Sequence, residues 1–202
     1  MAIDLDEAKV ERNEFGLWLG WTLATAGGML VGFLLTIPVV DLFDLGFARI
    51  IVPILAGLLI GFSQWIVLRR FMTTSADWVL AGGTGWAVGY ALGLLVIQNL
   101  SGTFFGALAA YLLFGVIVAL VHWPILSREI PSVLVWVALN VLGWAAGLWV
   151  SQIFLALIFN DPVIAPALST SVIALSTGLV AGAITGLGLV WIARQPDVAS
   201  QA

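Results

Sequence analysis

The stretch WVLAGGTGWAVG at positions 78–89 returns as WVALNVLGWAAG at positions 136–147. The offset is 136 − 78 = 58 residues, and the Trp, the Gly-Trp pair and the closing Gly all coincide. Both copies are apolar, glycine-bearing and free of charge, as befits a helix that crosses a membrane and packs closely on its neighbours. The first apolar run carries a related copy. There Trp21, Ala24, Gly28 and Gly32 fall on Trp78, Ala81, Gly85 and Gly89, with a shift of 78 − 21 = 57 residues.

The stretches that follow these copies repeat as well. GLLIGFSQWIVLRR at 57–70 matches GVIVALVHWPILSR at 115–128, so that Gln64-Trp65 lies over His122-Trp123 and Leu68 over Leu126. GLVAGAITGLGLVWIAR at 178–194 matches more weakly, with Gly178, Gly182 and Thr185 in the places of Gly57, Gly61 and Gln64 and with Gly186 in the place of the Trp. A unit that recurs at this period is one supersecondary element used several times. The predicted fold is all-α: an integral membrane six-helix bundle made of three tandem parallel helical-hairpin repeats, related by an axis along the membrane normal.

Composition agrees with lipid as the solvent. The chain is 62% hydrophobic and only 9% charged, against about 25% charged in an ordinary soluble domain. Its mean hydropathy is +1.14. A spanning helix needs about 20 mostly apolar residues, and six such stretches are predicted, near 16–40, 46–69, 78–98, 104–126, 133–159 and 166–193. The domain plan is a tail over 1–15, a transmembrane domain over 16–193 with hairpins at about 16–70, 77–128 and 133–194, and a second tail over 195–202. The acidic opening lacks the basic start of a secretory signal, so the first helix is expected to be retained.

Lys9, Arg12, Arg69, Arg70, Arg128 and Arg194 flank one side of the predicted spans, and only Arg49 lies on the other. The positive-inside rule then expects a cell-membrane protein with both termini cytoplasmic. There is no cysteine, which excludes disulfides and thiolate metal sites. No basic run points to nucleic acid. The expected surroundings are the lipid bilayer and either a membrane-protein partner or further copies of the chain.

Helices in lipid associate by close approach at small residues and by interhelical hydrogen bonds. Every predicted helix has a small-xxx-small pair: Gly28/Gly32, Gly57/Gly61, Gly85/Gly89, Gly115/Ala119, Gly143/Gly147 and Gly178/Gly182. These glycines are expected to be packing positions. Gly147 also shares a helix face with Asn140, Trp144 and Ser151, and that stripe is expected to turn inward. Gln64, His122 and Thr185 share one repeat position, and Asn140 lies at comparable depth, so the four form a candidate polar cluster near the axis. Two roles are open to it: hydrogen-bonded ties between helices, or a ligand or proton site. His122 is the only histidine, and an imidazole there could ligate the metal of a haem or chlorophyll. Hydrogen bonding without a bound cofactor is the expectation, because Gln in the first copy is a poor metal ligand.

Trp78 and Trp136 begin their helices, and Trp65, Trp123 and Trp191 lie near helix ends, so all five are expected in an interfacial aromatic belt. Trp86 and Trp144 sit eight residues deeper, about 12 Å along the axis. They are expected either as packing filler or as an aromatic wall for a lipid, quinone or pigment. The spans are expected to contain no Lys, Arg, Asp or Glu, and no bare-protein metal site is expected. Nothing forms a catalytic motif.

The phrases QWIVLR at 64–69, ADWV at 76–79 and GWAVG at 85–89 resemble those of uncharacterised multi-pass bacterial membrane proteins that repeat the same words. The resemblance spans nearly the whole chain and implies a fold without implying an activity. His122 and Thr185 depart from the Gln of the first copy. The expected function is that of a non-enzymatic membrane subunit or scaffold packing against partner membrane proteins, lipids or pigments. The alternative is a small transporter or channel for a neutral or hydrophobic substrate along a pseudo-threefold axis. A cavity on the axis lined by Gln64, His122 and Asn140 would favour transport, and a closed axis with an exposed flat apolar face would favour the subunit.

Overall fold

The computed structural model describes residues 14–42, 45–71, 76–100, 103–128, 133–158 and 166–194. The two expected tails lie almost wholly outside them. The described residues form six helices: α1 (Glu14–Leu42), α2 (Leu45–Leu68), α3 (Asp77–Asn99), α4 (Phe104–Leu126), α5 (Leu134–Ile158) and α6 (Pro166–Ala193). All six are long and apolar enough to cross a membrane, which makes this a multi-pass membrane protein. Local chemistry marks several ends. Thr103 accepts a hydrogen bond from the Gly106 N–H at 3.0 Å and so caps α4. Pro166, with no N–H to leave unpaired, opens α6.

One expectation about charge is corrected. Arg49 lies inside α2, four residues from its start, and is exposed. A long basic side chain near a helix end can keep its head in water while its stem lies along apolar surface.

Each helix packs on its neighbours in the chain, and α1 packs on α6, so the six close into a ring. Among the described residues, no helix pair across the ring brings Cα atoms within 8 Å. Neighbours run antiparallel: a Cβ on Gly28 would stand 2.8 Å from the Ile60 Cα, and one on Gly32 3.1 Å from the Ala56 Cα. As residue numbers rise along α1 they fall along α2. At Gly28 a Cβ would force the two backbones apart, and at Gly32 the neighbour would have to give by a few tenths of an ångström.

All eleven packing glycines named from the sequence face an adjacent helix in this way. The tightest are Gly57, whose Cβ would meet the Gly82 carbonyl at 2.5 Å, and Gly178, whose Cβ would meet the Ala26 Cα at 2.6 Å. Gly85 and Gly89 face Val118 and Phe114 of α4, and Gly115 faces Val141 of α5.

Gly147 is buried, and it is turned to α6: its Cβ would stand 2.7 Å from the Thr177 carbonyl and 3.3 Å from the Ala181 Cβ. Gly143, one turn earlier, faces Thr185 and Ala181 of the same helix. Spacing puts Gly147 on the face of Asn140, but a residue without a side chain cannot reach the axis. It lets the α6 backbone come in and cover that face.

The outward faces carry exposed Leu, Ile, Val and Phe, including Leu35, Leu80, Leu95, Leu142 and Leu157. That is the surface lipid requires, since hydrocarbon offers no partner to a polar group.

Candidate functional site

A ring of helices whose backbones stay apart across its centre must fill that centre with large side chains, because interiors pack to crystal-like density. Tryptophan does so here. Trp21 of α1, Trp78 of α3 and Trp136 of α5 form a mutual trio, with ring centroids 6.0 Å (Trp21–Trp78), 5.8 Å (Trp21–Trp136) and 6.0 Å (Trp78–Trp136) apart. All three meet edge to face, the arrangement that the ring quadrupole favours. Beneath them Leu68, Leu126 and Leu189 of α2, α4 and α6 join the same core cluster. The interfacial reading of Trp78 and Trp136 is therefore corrected: they are 0% and 1% exposed. Height along the helix suggested a belt, but the face decides. Trp78 lies on the stripe of Gly82, Gly85 and Gly89, which turns away from lipid. Trp65, Trp123 and Trp191 are partly buried around the same cluster, and the Arg69 guanidinium lies 5.0 Å from the Trp65 ring centre.

A second aromatic layer closes the other side. Trp86 and Trp144 meet edge to face at 5.3 Å, and Phe114 contacts both, at 5.0 Å and 5.6 Å. Met29 of α1 belongs to the same cluster. Both tryptophans are buried and held by rings on several sides.

Between the layers lies a cavity of about 10 Å³. Trp21, Trp78 and Trp136 bound it on one side, and Trp86 and Trp144 on the other. Gln64, His122, Asn140 and Thr185 all line it, so the structure brings together the four polar residues singled out from the sequence. Each is at most 6% exposed. Of the stripe Asn140, Trp144, Gly147 and Ser151, only the first two reach the cavity.

Their hydrogen bonds differ. Gln64 is an interhelical tie. Its Nε2 donates to Thr25 Oγ1 on α1 at 3.0 Å, and its Oε1 accepts from Trp78 Nε1 on α3 at 3.3 Å. Thr185 Oγ1 accepts from Trp21 Nε1 at 2.8 Å, which joins α6 to α1, and donates to the Ala181 carbonyl at 2.7 Å. His122 Nδ1 lies 2.7 Å from the Val118 carbonyl in its own helix, and its ring packs 4.2 Å from that of Trp78. A carbonyl only accepts, so Nδ1 carries the proton and Nε2 presents a lone pair in the neutral ring. Three atoms at this level have no hydrogen-bond partner among the described residues: His122 Nε2, Trp136 Nε1 and Asn140 Oδ1.

Thr25 was missed in the sequence. It is fully buried, donates to the Trp21 carbonyl at 2.9 Å and receives Gln64. A lone Thr in an apolar helix gives no signal of this. Trp21 was noted only as a repeat match, and its place in the trio follows from that match. Among the described residues, no three His, Asp or Glu side chains gather as metal ligands would. The cavity is also far below the roughly 300 Å³ of a small-molecule pocket, so a macrocycle does not fit beside His122 in this arrangement. In comparisons with family models, curated proteins and solved structures, nothing matches the chain.

Proposed function

We propose that the chain is a non-enzymatic cell-membrane subunit or scaffold: three tandem helical hairpins around a pseudo-threefold axis, packing through their outer faces against partner membrane proteins, lipids or pigments. The observation that carries this reading is the size of the axial cavity: Gln64, His122 and Asn140 line it, as a transport path would require, but at about 10 Å³ it is too small for a substrate. The trio of Trp21, Trp78 and Trp136 and the layer of Trp86, Trp144 and Phe114 fill the ring on either side of a cavity of about 10 Å³. A transporter of neutral or hydrophobic substrates needs a midplane site of substrate size and a way in from each side. Residues matched by the 57–58-residue shift occupy like places in the ring, as the trio illustrates, and this supports the hairpin repeat. Arg69, Arg70, Arg128 and Arg194 follow α2, α4 and α6 at one end of the bundle while Arg49 is near the start of α2. That supports cytoplasmic termini.

Purification of the tagged chain from its native membrane in mild detergent tests the proposal. The expected result is a membrane protein, lipid or pigment held at fixed stoichiometry through repeated columns. A chain that purifies alone and carries solute in vesicles would overturn it.

A further inference from the structure

We propose that one water molecule occupies the cavity and joins α4 to α5 by bridging Trp136, His122 and Asn140. The three places where a core tryptophan meets the adjacent even helix differ. At the α1–α6 contact Trp21 donates directly to Thr185. At the α2–α3 contact Trp78 donates directly to Gln64. At the α4–α5 contact Trp136 Nε1 and His122 Nε2 are both buried and both without a hydrogen-bond partner among the described residues. The imidazole is committed elsewhere: Nδ1 is held by the Val118 carbonyl and the ring lies against Trp78.

A donor and two acceptors left dry in the interior would each lose the hydrogen bonds they make in water and gain none in return. The three atoms have complementary chemistry. Trp136 Nε1 is a donor only, His122 Nε2 is an acceptor, and Asn140 Oδ1 is an acceptor. A water that accepts from Trp136 and donates its two protons to His122 and Asn140 satisfies all three. Buried waters typically make about three such bonds. The space agrees: the cavity measures about 10 Å³, close to the smallest polar cavity that holds a water. All three residues line it and are at most 3% exposed. Ala119 of α4 stands where α2 and α6 have Gly61 and Gly182, so this contact lacks one of the glycines that draw the other two together.

A structure of the full chain in lipid nanodiscs, resolved well enough to show ordered waters, tests this. The expected result is one water within about 3.2 Å of Trp136 Nε1, His122 Nε2 and Asn140 Oδ1. A dry cavity, or a direct Trp136–His122 hydrogen bond, would overturn the proposal. His122→Gln supplies the acceptor that Trp78 already finds in Gln64. The water is expected to be lost in that variant, with Trp136 donating to the new side-chain oxygen, and its persistence there would count against the bridge. A nuclear Overhauser measurement on the wild-type chain does not depend on the variant folding: the Trp136 indole N–H should cross-relax with water, and a silent, well-resolved Trp136 signal would refute the site.

Discussion

The indole N–H of Trp78 on α3 donates to the Oε1 of Gln64 on α2, while the Nε2 of the same glutamine donates to Thr25 on α1. One side chain thus fastens three consecutive helices in the layer directly beside the tryptophan trio. No apolar residue of similar size can replace it without leaving the Trp78 N–H dry.

Gln64→Leu is therefore expected to destabilise the bundle by about 1–3 kcal/mol, the cost of a buried donor left unpaired. Trp78→Phe in the same background should cost less than it does alone, because the two residues share one bond. Unfolding in mixed detergent micelles measures all three variants. Strict additivity would show that the Gln64–Trp78 bond carries no energy.

Glycine positions separate by what faces them. Gly178→Ala places a Cβ 2.6 Å from the Ala26 Cα, so α1 and α6 must move apart, with an expected loss of about 1–3 kcal/mol. Gly147→Ala sets a Cβ 2.7 Å from the Thr177 carbonyl and should cost a similar amount at the α5–α6 contact. Gly27→Ala meets nothing within 4 Å and should leave stability unchanged or raise it by up to about 1 kcal/mol through helix propensity. Equal effects of all three in a detergent-melting assay would contradict the packing described for these contacts.

Orientation is testable with single cysteines, since the chain has none of its own. Leu100, exposed after α3, and Ser127, exposed after α4, lie at opposite ends of the bundle. Leu100→Cys is expected to react with an impermeant maleimide added to intact cells, and Ser127→Cys only after permeabilisation. The reverse pattern would place the termini outside.

Much of this architecture was legible in the residues themselves. Lipid demands about 20 apolar residues per span, so the six helices could be counted directly. The small-xxx-small pairs marked the faces where helices meet, because only small residues let backbones approach. They did not say which neighbour each glycine meets; Gly147 proves to serve the α5–α6 contact. The polar cluster was legible because Gln64, His122 and Thr185 share one repeat position. The tryptophan trio was not. Trp78 and Trp136 sit at the starts of α3 and α5, and height alone cannot separate a belt residue from one turned to the axis. Closure of the ring between α1 and α6 was also hidden, since it joins residues such as Trp18 and Ala183, whose 2.9 Å hydrogen bond spans nearly the whole chain. Cavity size depends on how rings such as His122 and Trp78 stack, and no spacing rule encodes that.

The sealed axis is tested most directly by solute flux through proteoliposomes that contain only this chain. Stopped-flow light scattering after an osmotic step with glycerol or urea reads the entry of small neutral solutes. A closed axis gives rates equal to those of protein-free vesicles, and no change with His122→Gln. A rate several-fold above the lipid control that falls when Gln64 or His122 is replaced would show an open path along the axis. It would make the chain a channel or transporter instead of a closed subunit.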